Sequence, residues 1–157
     1  MKSDTVLILN GPGLADLEAG GDRQGSVMLE QIREESASEC KIHGLQLEFR
    51  QTDDQDEMFH WITGDSKNHC ALIINPAGNI QADSIDFEGY GSALRKAAQL
   101  NKPVIEVHIS NIFKEETGQT VPLQGPAGEM GFVCGMGRFS YLLGIQAVAG
   151  QLQGLTN

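Results

Sequence analysis

Apolar and polar positions along this chain follow two periods. Residues 5–9 (TVLIL) and 71–74 (ALII) are unbroken apolar runs. Residues 104–109 (VIEVHI) hold four β-branched apolar residues in six positions. Runs this short, closed by turn residues, predict strands covered on both faces. Residues 45–50 alternate apolar and polar as an edge-side strand does, and residues 131–136 form a fifth candidate. Between the strands the spacing becomes helical. The pattern predicts a helix over 27–42, with Ser26 as N-cap and Gly44 behind His43 as its stop. Asp53 or Asp54 caps a second helix carrying Met58, Phe59, Trp61 and Ile62. A third helix covers 87–100, residues 114–130 form an irregular loop, and the last helix sets Tyr141, Ile145, Val148 and Leu152 on one apolar face.

Strands alternating with helices imply right-handed βαβ units and a parallel sheet. The expected fold class is α/β, a flavodoxin-like three-layer sandwich with a five-stranded parallel sheet in the order 2-1-3-4-5, as a single domain over 1–157. In such sheets ligands sit at the carboxyl ends of the strands, where the strand order reverses. That point lies between the first and third strands, which end at Asn10 and Asn75. The crevice is expected to be lined by Asn10, Asn75 and residues 108–111, with Glu106, His108, Ser110 and Asn111 at or beyond the end of the fourth strand.

Composition narrows the function. A net charge of −10 over 157 residues argues against nucleic acid and against an anionic membrane surface, both of which need clustered Lys and Arg. No apolar run is long enough to span a bilayer, and the start lacks the pattern of a signal peptide. Cys40, Cys70 and Cys134 are odd in number and far apart, as reduced thiols in a cytoplasmic protein are. His60 and His69 lack metal-ligand spacing, so no metal is expected; His43 reads as part of a helix end.

Three groupings carry candidate chemistry. Gly11-Pro12-Gly13 follows a strand, but Asp16 replaces the third glycine of a dinucleotide fingerprint, so a plain tight turn is expected. Glu106 and His108 share one face of a strand, either as an acid/base pair or as a hydrogen-bonded structural pair. Asn10 and Asn75 end apolar strands, either closing turns through their own side chains or facing a ligand. The serines Ser26, Ser84 and Ser140 lack a nucleophile-elbow context, and residues 53–57 read as the acidic first turn of a helix.

Read together, Ile8-Leu9-Asn10-Gly11-Pro12, Phe49-Arg50-Gln51-Thr52 with Trp61-Ile62, Ile74-Asn75-Pro76, and Glu106-Val107-His108-Ile109-Ser110-Asn111 resemble the type II 3-dehydroquinate dehydratases in order and approximate spacing. Tyr141-Leu142-Leu143 extends the resemblance to the last helix. It implies a subunit of trimers or dodecamers that uses no cofactor and dehydrates 3-dehydroquinate in the shikimate or quinate pathway. In that family a lid tyrosinate, activated by an arginine, takes a proton beside the ketone, and a histidine protonates the departing hydroxyl. A strand-end Ile-Ser pair and an Asn hold the substrate's carboxylate and hydroxyls.

By resemblance, Asn10, Asn75, His108, Ile109 and Ser110 fall on substrate-binding positions, and Glu106 on the carboxylate beside the histidine. The catalytic positions differ. Gln24 stands at the lid tyrosine, Gln81 at the acid histidine, Gly13 at the second Asn of the NGPN motif, Lys96 at a later Asp and Gln119 near a later Arg. Arg23 and Tyr90 are replacement candidates, Tyr90 as a base. The expectation is a divergent member that binds a small hydroxylated carboxylate and dehydrates it weakly or not at all. The alternatives are an active dehydratase or related lyase with relocated groups, and a non-catalytic scaffold or regulatory subunit.

Overall fold

The structure is a computed structural model and describes residues 3–15, 24–78, 86–110 and 130–154. Its elements run β1 (Thr5–Asn10), α1 (Gln24–Ile42), β2 (Gln46–Gln51), α2 (Gln55–Thr63), β3 (Ala71–Asn75), α3 (Phe87–Ala98), β4 (Val104–His108), β5 (Gly131–Cys134) and α4 (Phe139–Leu152). All strand pairs are parallel and the sheet order is β2-β1-β3-β4-β5, as the alternation of elements implies.

Strand periodicity divides the core into two layers. Val6, Ile8, Ala71, Ile73, Ile105 and Val107 face α1 and α4, meeting Leu29, Ile32, Tyr141, Ile145 and Val148. The intervening Leu7, Leu9, Leu72, Ile74 and Val104 face α2 and α3, meeting Met58, Ile62, Tyr90 and Leu94. Each fully buried aliphatic side chain contributes roughly 1.5–3 kcal/mol. Because both faces are covered, the central strands carry almost no polar residue until their carboxyl ends.

Local chemistry moves several boundaries. α1 begins at Gln24, so Ser26 lies inside its first turn and is not the N-cap. Asp54 caps α2 by accepting from the Asp56 and Glu57 amides at 2.9 and 3.4 Å. A 3₁₀ turn over Asp65–Asn68, which hydrophobic periodicity does not signal, precedes β3. α3 stops at Ala98, before Asn101 in the left-handed region. β4 ends at His108 rather than 110. β5 ends at Cys134 rather than 136, since Gly135 and Gly137 turn the chain through φ values of 82° and 60°. Residues 114–129 of the expected loop lie outside the described residues.

The floor of the crevice is backbone packed on backbone. A Cβ built on Gly11 would lie 2.6 Å from the Pro76 carbonyl carbon and 2.8 Å from the Met58 sulfur; one on Gly78 would lie 2.7 Å from the Gly13 oxygen. Amide bonds cross the seam from Gly11 to the Asn75 carbonyl and from Gly78 to the Pro12 carbonyl, at 2.8 and 2.9 Å. Only glycine permits this approach.

Candidate active site

Two polar networks close the carboxyl edge of the sheet, one on each face. Asn10 and Asn75 are neighbours across β1 and β3 and turn toward α4, where the Tyr141 hydroxyl lies between them. Tyr141 donates to Asn10 Oδ1 at 2.6 Å and accepts from Asn75 Nδ2 at 3.0 Å. Asn10 Nδ2 donates to the Arg50 carbonyl at 3.0 Å, tying in β2. Asn75 Oδ1 is buried and has no hydrogen-bond partner among the described residues. Burial raises the Tyr141 phenol above its usual range, partly offset by the Asn75 hydrogen bond.

On the opposite face, Glu106 joins two partners. Its Oε2 pairs with His108 Nε2 at 2.8 Å, and its Oε1 accepts from the Tyr90 hydroxyl. Tyr90, Glu106 and His108 are 2%, 4% and 3% exposed. With both carboxylate oxygens occupied by donors, Nε2 carries the imidazole proton toward Glu106 and Nδ1 is left as the second ring nitrogen. Burial raises the Tyr90 phenol well above its usual range, and the adjacent Glu106 charge adds to this. A phenol that keeps its proton and donates it to a carboxylate is poorly suited to act as a base. The His108 ring leans against Phe132 of β5, with centroids 5.5 Å apart.

Beyond His108 the chain bends. The carbonyls of His108 and Ile109 accept from the amides of Gly135 and Gly137, at 3.3 and 3.0 Å. Consecutive carbonyls of a regular strand alternate in direction, whereas these two both turn to the β5–α4 connection. The N–H of a trans peptide opposes its C=O, so the Ile109 and Ser110 amides both point away from that connection. Successive amides aimed to one side form an anion-binding concavity. Ile109 is half-buried and Ser110 is exposed.

The structure therefore gathers Asn10 with Asn75, and Glu106 with His108 and Tyr90, but on opposite faces of the sheet. Gln24 is the first residue of α1. Lys96 is exposed on α3. Arg23, Gln81, Asn111 and Gln119 lie outside the described residues. Sequence reasoning placed Tyr141 on an apolar helix face and in the segment that carries the resemblance, and did not join it to Asn10 and Asn75. The available signal was that a buried tyrosine hydroxyl demands a partner. Arg50, part of the motif around residues 49–52, spends its guanidinium on Glu48, Asp65 and the Trp61 ring. Among the described residues no group of three or more His, Cys, Asp and Glu could hold a metal ion, and no helix is long and apolar enough to cross a membrane.

The fold defines a flavodoxin-like α/β protein, with Asn10 and Asn75 at its topological switch point and the Ile109 and Ser110 amides beyond β4. The dehydroquinase class II family model matches residues 4–149, and the chain belongs to that family. It is 34% identical over 152 residues to a 3-dehydroquinate dehydratase of Mesorhizobium japonicum, covering 94% of this chain and 99% of the relative. A 3-dehydroquinate dehydratase of Clostridium botulinum is 28% identical over 151 residues, covering 95% of this chain and 97% of that one. Among solved structures, the type II dehydroquinase from Propionibacterium acnes matches with a TM-score of 0.70 at 31% identity. A 3-dehydroquinate dehydratase-like protein from Bifidobacterium longum matches with a TM-score of 0.69 at 29% identity. Each of the two covers 94% of this chain and 97% of its own.

Proposed function

We propose that this protein binds a small hydroxylated carboxylate of the 3-dehydroquinate type at the carboxyl edge of its sheet and dehydrates it slowly or not at all. The observation that carries this reading is the strand end itself. His108 is held by Glu106 beside the turned amides of Ile109 and Ser110, an arrangement suited to grip a carboxylate. The proton-transfer groups are what differ. Gln24 and Gln81 stand where the family resemblance puts the lid tyrosine and the acid histidine. A carboxamide neither accepts nor releases a proton near neutral pH. General base and general acid each contribute about 10²–10⁴-fold, so losing both removes most of a dehydratase's rate. Tyr90 does not restore the base, because its proton is committed to Glu106. At the second Asn of the NGPN motif, Gly13 keeps the left-handed turn, at a φ of 86°, without the side-chain amide.

The test follows 3-dehydroquinate with purified protein at high concentration, through the ultraviolet absorbance of its conjugated enone product. The expected result is turnover below about 1 per second, the bottom of the usual enzymatic range, together with thermal stabilisation by quinate. Turnover within that range overturns the weak-catalyst reading, and no stabilisation by quinate or dehydroquinate overturns the ligand class. The same resemblance extends the proposal to a cytoplasmic homo-oligomer, a trimer or dodecamer, which light scattering checks.

A further inference from the structure

The amino end of the sheet carries a cavity that the crevice does not use. It has a volume of about 450 Å³ and is walled by Lys67, Cys70, Leu100, Lys102, Pro103 and Leu152. Cys70 precedes β3, Lys102 and Pro103 precede β4, and Leu152 ends α4, whereas the crevice begins where β4 ends at His108. The five residues of β4 rise about 3.3 Å each, so roughly 16 Å of strand separates the two places.

Lys102 is the unusual member of this wall. It follows Asn101, whose φ of 57° turns the chain after α3, and it is half-buried. Its ammonium donates to the main-chain carbonyls of Ser66 and His69, the latter at 2.8 Å. Those carbonyls are dipoles and not counter-charges, and no carboxylate among the described residues pairs with this ammonium. An ammonium has three donors, so one N–H remains. Burial holds Lys102 below the ordinary lysine range, as it does for a charge drawn from water without a counter-ion. The chain carries a net charge of −10, yet the Asp, Glu, Lys and Arg residues lining this cavity are two lysines, Lys67 and Lys102. Beside them the wall is apolar. Leu100 and Leu152 are 37% and 43% exposed, a large share for leucine.

We propose that this cavity is a second small-molecule site, for a carboxylate with an apolar body: the anion meets Lys102, and the body covers Leu100, Pro103 and Leu152. The volume lies within the range of about 300–1,000 Å³ usual for such pockets. The unpaired ammonium selects the anion, and the exposed leucines select the body. The site shares no residue with the crevice, so the inference stands apart from the reading of that edge.

The test compares phenylacetate with 2-phenylethanol, which has the ring without the charge, and with acetate, which has the charge without the ring. Calorimetry on the wild-type protein should show phenylacetate binding at least about tenfold tighter than either, the worth of one charge-assisted hydrogen bond. Lys102→Met keeps the apolar stem and should bring phenylacetate down to the level of 2-phenylethanol. Equal binding of phenylacetate and 2-phenylethanol by wild type overturns the anion assignment, and no binding of phenylacetate overturns the site. Location is read in wild type alone, which covers the case in which Lys102→Met does not fold. Phenylacetate at about ten times its dissociation constant should slow alkylation of Cys70 by iodoacetamide about tenfold. Cys134, paired with His108 beside the crevice, should react at an unchanged rate. Protection of Cys134 in place of Cys70 puts the ligand at the other end of the sheet and overturns the proposal, as does protection of neither.

Discussion

Alkaline pH offers a direct test of both strand-end networks, because each depends on a tyrosine that keeps its proton. The chain has two tyrosines. Tyr90 is buried against the Glu106 carboxylate and Tyr141 is buried between two asparagines. Both phenols are held above the ordinary tyrosine value of about 10, in each case chiefly by burial. Above about pH 10 an unfolded tyrosine loses its proton while these retain theirs, so the unfolded state binds fewer protons and stability falls as pH rises. Each tyrosine contributes a slope of about −1.4 kcal/mol per pH unit, giving about −2.7 for the pair. Other groups act in the same range. Burial pushes the Cys40 thiol up to about 12 and raises Cys70, so both lower stability as pH rises from about 9. Burial lowers the Lys102 ammonium, which acts in the opposite sense just below its ordinary titration. Tyr90→Phe and Tyr141→Phe isolate the tyrosine share. Urea unfolding between about pH 10 and 11 should show each variant losing about 1 kcal/mol less than wild type, the slope nearing its full value only above that range. Near-ultraviolet phenolate absorbance should stay low in the native baseline and rise only on unfolding. A folded protein whose phenolate absorbance grows with a midpoint near about 10 would refute the burial argument.

Three further outcomes follow from the geometry. Gly11→Ala drives a methyl group into the Pro76 carbonyl and the Met58 sulfur, so chemical denaturation should show a loss of about 3 kcal/mol or failure to fold. Asp54→Ala removes the acceptor at the start of α2 and should cost about 1 kcal/mol by the same measurement, without altering the response to quinate. Glu106→Gln has one acceptor oxygen for two donors, so either the Tyr90 or the His108 bond must reverse its direction. Thermal shift should show about a tenfold weaker response to quinate with a folded protein, and an unchanged response would remove Glu106 from the site.

The strands and their order are legible in the sequence because burial on both faces writes itself as β-branched runs ended by Asn and Gly. Element ends are less legible. Ser26 looks like a cap, yet α1 starts at Gln24; β4 stops at His108, where the amides of Gly135 and Gly137 take the His108 and Ile109 carbonyls. The site was only half readable. Glu106 and His108 share a face by simple alternation, but whether that face also holds Asn75 depends on the register between strands, a non-local property. β3 and β4 pair Ile74 with Glu106, which puts Asn75 and His108 on opposite sides. Tyr141 eluded the sequence reading because an aromatic at helical spacing carries no mark of where its hydroxyl lands.

The seam between Gly11–Gly13 and Pro76–Gly78 has a consequence for how this family can diverge. Contacts made chiefly of main chain present little side chain for mutation to retune, and any Cβ at Gly11 or Gly78 collides with what lies opposite. The crevice floor is thus inherited as a fixed part.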